Sequence, residues 1–140
     1  MILYLDTSAL VKLYVREAGA ARVKTRVGQA PVVATSRVAY PEARAAFARR
    51  HHEGALAAAD LARIAGDLDR DFGALAVIEL AESLARSAGD LAERHALRGF
   101  DAIHLASALE LGRLVGEPPL FLAFDARLAA AAALAGLRPG

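Results

Sequence analysis

Hydrophobic residues along the chain fall into two kinds of segment. Short runs that are apolar on both faces are typical of buried strands in a parallel sheet. Longer segments with apolar residues three or four positions apart predict helices that pack one face on a core. The short runs predict strands over residues 1–5, 31–35, 74–78 and 120–124. The longer segments predict helices over 7–15, 20–27, 36–50, 55–72, 80–91, 100–112 and 126–134.

The order of these elements predicts the architecture. Strands alternate with single helices or helix pairs, which favours a parallel sheet covered by helices on both faces. We therefore expect a three-layer α/β/α sandwich with four or five parallel strands, formed by residues 1–140 as a single domain. Pro41 lies about five residues into the helix that Ser36 is suited to cap, so this helix either starts later than Ser36 or bends.

Composition narrows the class of protein. Hydrophobic residues make up 56% of the chain and charged residues 24%, which is typical of a folded globular protein. No apolar run approaches the roughly 20 residues of a membrane span, and Asp6 interrupts the apolar N-terminus, so we expect neither a membrane anchor nor a signal peptide. The absence of cysteine excludes disulfides and thiolate metal sites and suits a cytoplasmic protein. A net charge of +1 gives no overall basic field that would indicate a nucleic-acid partner.

Four acidic residues occupy positions at which a parallel sheet places its ligand site. Asp6 and Asp125 follow the first and fourth predicted strands. Asp101 lies in the first turn of the helix at 100–112, and Glu42 lies early in the helix after the second strand. Ligands of such sheets bind beyond the carboxyl ends of the strands, so the four side chains converge if the first and fourth strands are neighbours. Each acid alone also has an ordinary interpretation, as a helix cap, a first-turn acid or a solvated residue.

Four neighbouring carboxylates need a counter-charge, because like charges raise one another's pKa. A set of oxygen ligands without cysteine suits Mg²⁺ or Mn²⁺ better than Zn²⁺. Such a cation polarises a phosphoryl oxygen and makes its bound water a better nucleophile at neutral pH. The acidic set therefore indicates phosphodiester hydrolysis without a covalent intermediate on the protein.

Motifs spread over nearly the whole chain resemble one known family. They are Asp-Thr-Ser-Ala-Leu-Val-Lys-Leu-Tyr at 6–14, Glu42, Leu-Arg-Gly-Phe-Asp-Ala-Ile-His-Leu-Ala-Ser-Ala at 97–108, and Phe-Asp-Ala-Arg-Leu at 124–128. Together they resemble a PIN domain of the VapC type, the toxic ribonucleases of bacterial and archaeal toxin–antitoxin pairs. The resemblance implies an Mg²⁺- or Mn²⁺-dependent endoribonuclease that acts on RNA, with tRNA and rRNA as candidate substrates, that is silenced by a VapB-type antitoxin and that forms a homodimer.

The same resemblance assigns residues to the site. The metal-centred acids would be Asp6, Glu42, Asp101 and Asp125, with Asp6 and Asp101 as direct ligands. Ser8 stands at the family's usual Ser/Thr position and would order the site by hydrogen bonding. Ala123 departs from the pattern, since many members carry Thr or Ser two residues before the last acid. This departure leaves the role of Asp125 open.

Other polar residues near these motifs have weaker assignments. His104 follows Asp101 by one turn, and we expect it to be structural or to bond Asp101, the alternative being contact with a scissile phosphate or a metal-bound water. Glu79 and Glu82 follow the third strand and are expected either at the surface or behind the acidic residues of the site, and the pair at 51–52 is expected at the surface. Six basic residues are candidates for contacts with the phosphates of RNA: Lys12, Arg37, Arg44, Arg86, Arg94 and Arg98. No basic stretch interleaved with aromatic residues predicts base stacking.

Two other functions remain as alternatives to the ribonuclease. A phosphatase or phosphotransfer domain usually pairs two aspartates near the first strand with a later lysine, but Thr7 and Ser8 follow Asp6 and no lysine occurs beyond Lys24. A non-catalytic binding module would keep the fold without needing all four acids. The apolar residues of 10–27 and 61–72 exceed what one small core needs, and by the resemblance they would carry antitoxin and homodimer contacts.

Overall fold

The computed structural model describes residues 1–140 and contains one parallel sheet with helices on both faces. The five strands are β1 (Ile2–Leu5), β2 (Val32–Ser36), β3 (Ala76–Ile78), β4 (Leu120–Leu122) and β5 (Arg138–Pro139). They lie in the order β3-β2-β1-β4-β5, and every neighbouring pair is parallel. The predicted α/β sandwich is confirmed, and the chain end supplies the fifth strand.

Seven helices cover this sheet. They are α1 (Thr7–Val11), α2 (Ala20–Gln29), α3 (Ala39–His52), α4 (Ala58–Phe72), α5 (Glu82–His95), α6 (Gly99–Val115) and α7 (Ala126–Leu134). Side chains of α1 to α4 pack on one face of the sheet, and those of α5 to α7 pack on the other. Strand β1 serves both layers, because successive side chains point to opposite faces: Leu3 and Leu5 enter one core and Tyr4 the other. No helix is long and apolar enough to cross a membrane.

Helices α2, α4, α5 and α6 begin or end a few residues away from the predicted positions, and α1 and α3 differ for identifiable reasons. Helix α1 ends at Val11 rather than at residue 15, because the amides of Lys12, Leu13 and Tyr14 bond to carbonyls three residues back and tighten the chain into turns. Helix α3 starts at Ala39, so the later start is correct and Ser36 does not cap the helix. Pro41 lies in its first turn, where a missing amide hydrogen costs no helical bond.

The predicted surplus of apolar surface is wrong. None of the large exposed hydrophobic side chains lies within 10–27 or 61–72. Residues such as Leu10, Val23, Ile64 and Leu68 are buried in the core beneath α1 to α4. The surplus arose because the prediction counted one core, whereas a sheet covered on both faces needs two.

Strand order decides where a site can form. Strands β2 and β3 lie beyond one edge of β1, and strands β4 and β5 lie beyond the other edge. The strand order therefore reverses between β1 and β4. Leu5 of β1 is in register with Leu122 of β4, and the Asp6 amide donates to the Leu122 carbonyl (3.2 Å). The residues that follow these two strands therefore lie side by side.

Candidate active site

A cavity of about 550 Å³ lies at the carboxyl ends of β1 and β4. Its lining includes all four predicted acids, Asp6, Glu42, Asp101 and Asp125, and the predicted accessory residues Ser8 and His104. The acids come from the ends of β1 and β4 and from the first turns of α3 and α6. Sequence positions more than 100 residues apart thus meet in one concave surface.

Asp6 is the most buried of the four acids, with 3% of its surface exposed. Its Oδ1 accepts hydrogen bonds from the Ala9 amide (2.9 Å) and the Ser8 hydroxyl (2.7 Å), so the carboxylate also caps α1. No protein group donates to its Oδ2. Only one buried side-chain polar atom lacks a partner, and that atom is Ser107 Oγ, so Asp6 Oδ2 still reaches solvent. Burial raises the pKa of Asp6 and the charge of Asp101 adds to the increase, and neither the nearby His104 nor the two hydrogen bonds cancel it. A cation beside Oδ2 would relieve this cost.

Ser8 joins two of the converging elements. Besides donating to Asp6, its hydroxyl accepts a hydrogen bond from the Phe124 amide (3.1 Å). This bond ties the start of α1 to the residue before Asp125. The hydroxyl that many family members carry at position 123 is absent, since Ala123 packs with its methyl group against the core beneath α5 to α7.

Glu42 is held by a hydrogen-bond network that reaches into the core. Its Oε1 accepts from the Thr7 hydroxyl (2.5 Å) and lies 3.0 Å from His104 Nε2, and the Thr7 oxygen lies 2.9 Å from the same nitrogen. The other ring nitrogen, Nδ1, lies 2.9 Å from the hydroxyl of Tyr4. His104 is 1% exposed, so it acts from beneath the cavity.

The protonation of this network follows from its burial. Burial raises the pKa of Tyr4 well above its ordinary value, so the phenol keeps its proton beside His104 Nδ1. His104 Nε2 faces the Glu42 carboxylate and the Thr7 oxygen, both of which can accept a hydrogen bond from it. Burial alone would raise the pKa of Glu42, but the hydrogen bonds from His104 and Thr7 outweigh it and lower that pKa. Glu42 is therefore ionised at neutral pH, with Oε2 free of both bonds.

The expected bond between His104 and Asp101 is absent. The residues lie three positions apart on α6, about 60° apart around its axis. This rotation directs His104 into the core towards Tyr4, while Asp101 stays at the cavity edge. Thr7 and Tyr4 are therefore site residues that the sequence interpretation missed. Thr7 had a signal, since it directly follows Asp6, whereas nothing local distinguishes Tyr4 from a core aromatic.

Asp101 and Asp125 share one cation, Arg98. The Arg98 Nε lies 3.4 Å from Asp101 Oδ2, and an Nη lies 3.8 Å from Asp125 Oδ2. The other oxygen of Asp125 accepts from the Leu128 amide (2.9 Å) and caps α7. Arg98 is 81% exposed, so its ion pairs are weak and readily exchanged.

The basic residues around the cavity differ from most of those expected to contact phosphate. Of the six candidates only Arg98 lines the cavity, where it is joined by Arg49 and Arg50 of α3. Others are engaged elsewhere: Arg37 pairs with Glu79 and Arg86 with Glu82. Both glutamates lie outside the cavity lining, which agrees with the predicted surface position.

The donor set fits a hard divalent cation. All four acids offer oxygen, and the buried Asp6 carries a charge that the protein does not neutralise. No three histidine, aspartate or glutamate side chains are drawn together as direct ligands of a single ion. Mg²⁺ is commonly held by one or two carboxylates and several waters, so a pair such as Asp6 and Asp101 suffices for it.

Comparison with known proteins identifies the family. A model of the PIN domain matches residues 3–134. Two ribonucleases of Mycobacterium tuberculosis, VapC45 and VapC49, are each 40% identical over 138 residues, which is 98% of this chain and 93% of the relative. The crystal structure of Mycobacterium tuberculosis VapC20, described as a toxin that cleaves the sarcin-ricin loop, aligns with a TM-score of 0.71 at 24% identity, over 99% of this chain and 100% of that one. Because the matches span almost the whole sequence, the resemblance seen in the motifs is confirmed, and the chain belongs to the PIN-domain family as a ribonuclease of the VapC type.

Proposed function

We propose that the protein is a Mg²⁺- or Mn²⁺-dependent endoribonuclease that hydrolyses phosphodiester bonds of RNA as the toxin of a toxin–antitoxin pair. One observation carries the proposal. In Asp6, Glu42 and Asp125, one carboxylate oxygen is hydrogen-bonded to the protein. The second oxygen of each acid accepts no hydrogen bond from the backbone, from Thr7 or from His104. Four acids so arranged around one cavity suit metal-assisted hydrolysis better than a binding module.

Each acid then has a distinct task. Asp6, through Oδ2, and Asp101 would hold the cation, and Asp125 would complete the acidic set. When bound, such a cation would act as a Lewis acid on a phosphoryl oxygen and make a neighbouring water a better nucleophile. Glu42 is ionised at neutral pH and oriented by Thr7 and His104, and its Oε2 would take the proton of that water. Arg49 and Arg98 supply positive charge for the phosphates of the substrate.

The catalytic test measures cleavage of a single-stranded oligoribonucleotide with Mg²⁺ or Mn²⁺. We expect Asp6→Asn and Asp101→Asn each to reduce cleavage by at least about 100-fold, because the cation loses a ligand charge. Chelation with EDTA should stop the wild-type reaction, and added Mn²⁺ should restore it. Asp90→Asn, which changes an exposed acid of α5 outside the cavity, serves as the matched control and should leave the rate unchanged. Full activity of either site variant would refute the assignment.

The proposal extends to partners. A VapB-type antitoxin would silence the ribonuclease, and the active form would be a homodimer. Co-expression with the product of the neighbouring reading frame should yield a complex in which RNA cleavage is suppressed. Sedimentation of the protein alone should give the mass of two chains. A monomer whose cleavage is unaffected by that product would remove the partner assignments and leave the nuclease intact.

A further inference from the structure

Phe100 is an exposed aromatic residue in the wall of the acidic cavity. It lies in the first turn of α6, directly before Asp101, and 54% of its surface is exposed. It packs in neither hydrophobic core, and no other aromatic ring contacts it. At about 100° per residue, Phe100 lies roughly 140–200° around the helix from Leu105 and Ala102, so its ring is turned away from the apolar stripe of α6.

Phe124, the other exposed phenylalanine near the site, has contacts with charged side chains and with a glycine of the protein. Phe124 lies beneath the Lys12 ammonium, 4.6 Å from the ring centroid, with the Arg22 guanidinium at 6.0 Å. Its edge packs so closely on Gly19 that a Cβ there would come within 2.5 Å of the ring. Phe124 is thus covered by the protein's own side chains. Phe100 has no equivalent cover, and it is the one large exposed hydrophobic residue that lines the cavity.

The surroundings of Phe100 are typical of a groove that binds a nucleic-acid strand. The guanidinium of Arg98 lies two residues away on the chain and is largely exposed, and Arg49 and Arg50 line the same cavity. Aromatic rings beside arginines in a groove are the usual platform for bases of single-stranded nucleic acids. In a double helix every base is stacked between neighbours, so only an unpaired nucleotide offers a face to such a ring.

We propose that the Phe100 ring stacks on the unpaired base of a nucleotide that adjoins the scissile phosphate. This inference rests on the proposed ribonuclease function and names the residue that would hold an unpaired nucleotide next to the cut. Phe100 and Asp101 are adjacent in the chain and line the same cavity, so a base stacked on Phe100 would lie close to a phosphate held at Asp101. The ring therefore selects substrates by the accessibility of a base face and tolerates different bases.

The test compares position-100 variants on one oligoribonucleotide with a mapped cleavage site. Phe100→Ala should lower kcat/KM about tenfold, which is the loss expected for one stacked base. Phe100→Trp keeps a larger ring face and should retain or increase kcat/KM, whereas Phe100→Leu keeps apolar volume without a ring and should resemble the alanine variant. Leu134→Ala, which removes an 81% exposed side chain of α7, is the matched surface control and should cleave as the wild type does.

Substrates that lack one base identify the contact itself. Two further oligoribonucleotides carry an abasic residue on one or the other side of the scissile phosphate. For the wild type, one of them should lose about tenfold in kcat/KM, and the Phe100→Ala variant should show no additional loss on that substrate. A contact with a protein partner instead of RNA would leave cleavage by Phe100→Ala unchanged, which would overturn the inference, as would equal abasic losses in wild type and variant.

Controls separate this inference from the proposed function. Because Phe100 is exposed and outside both cores, its variants should keep the wild-type melting temperature and its increase with Mn²⁺. If the wild type cleaves no RNA with either metal, the ribonuclease proposal fails and the stacking proposal fails with it. If the wild type cleaves and Phe100→Ala cleaves equally well, the stacking proposal fails alone.

Discussion

At the scale of single residues, the carboxylates of the cavity differ because their surroundings differ. Asp6 is almost fully buried, so its pKa is raised, and a bound cation would stabilise its ionised form. Glu42 receives hydrogen bonds from Thr7 and His104, so its pKa is lowered and it is ionised without one. A pair of acids whose pKa values are moved in opposite directions is typical of a hydrolytic site in which one group holds metal and another handles a proton.

The donor on Thr7 gives a prediction at this scale. The lowered pKa of Glu42 means that its carboxylate contributes stability that is present above its unfolded pKa of about 4.3 and is lost as the pH falls through the folded value. Thr7→Val removes one donor at nearly constant volume, so the free energy of unfolding should fall by about 1 kcal/mol at pH 7. Urea denaturation at pH 7 and pH 3.5 should show this difference shrinking at the lower pH.

Thr25→Val provides the control for that substitution. Thr25 is an exposed residue of α2 with no side-chain hydrogen bond, so the same change there should alter stability little at either pH. A loss from Thr7→Val that stays constant between the two pH values would point to packing as the cause and remove the hydrogen-bond interpretation.

At the scale of elements, short connections hold the strand ends in place. The turns after α1 bring Glu17 into contact with Lys12 (2.8 Å) and with Arg50 of α3 (2.5 Å). Gly19 follows with a φ of +89°, and the Phe124 ring packs against it. The connection between α1 and α2 thereby supports the end of β4, where Asp125 begins α7. The cavity depends on this connection although Gly19 contributes no chemistry to it.

A matched pair of glycines tests this support. Gly19→Ala should lower the free energy of unfolding by roughly 2–4 kcal/mol, because it adds a close contact with Phe124 to the cost of a positive φ. Gly116→Ala has nearly the same φ, +85°, and nothing within 4 Å of the new methyl group, so it should cost only about 1 kcal/mol. Thermal or urea unfolding measures both. Equal losses would mean that the ring moves aside without cost.

At the scale of the whole molecule, a net charge of +1 conceals an uneven distribution. Four acids meet at one cavity, and arginines of α3 and the residue before α6 stand around it. The acids repel an RNA backbone unless a cation neutralises them, while the arginines attract it. Occupancy of the proposed metal site would therefore affect both the stability of the fold and the approach of substrate.

Metal binding should be visible in the melting temperature. On the proposal that the folded cavity binds the cation and the unfolded chain does not, Mn²⁺ at about 100 times its Kd should stabilise the fold by about 2.7 kcal/mol and raise Tm by several degrees. Asp6→Asn should raise Tm without metal, since it removes a buried charge, and should weaken the response to Mn²⁺. Asp90→Asn should keep the full response. An unchanged wild-type Tm with Mn²⁺ would contradict a metal site.

The sequence by itself determined the elements and the chemistry they carry. Helical and strand periods are local properties of the chain, so they revealed the alternating α/β order, and the missing cysteines left oxygen as the ligand for metal. Boundaries were less accurate where turns compete with helices, as after Val11. Only the tertiary structure decided which side chains meet: β1 beside β4, Glu42 on His104 across 62 positions, and Phe100 uncovered at the cavity wall. Such contacts depend on strand order and on packing between distant segments, which no local pattern specifies.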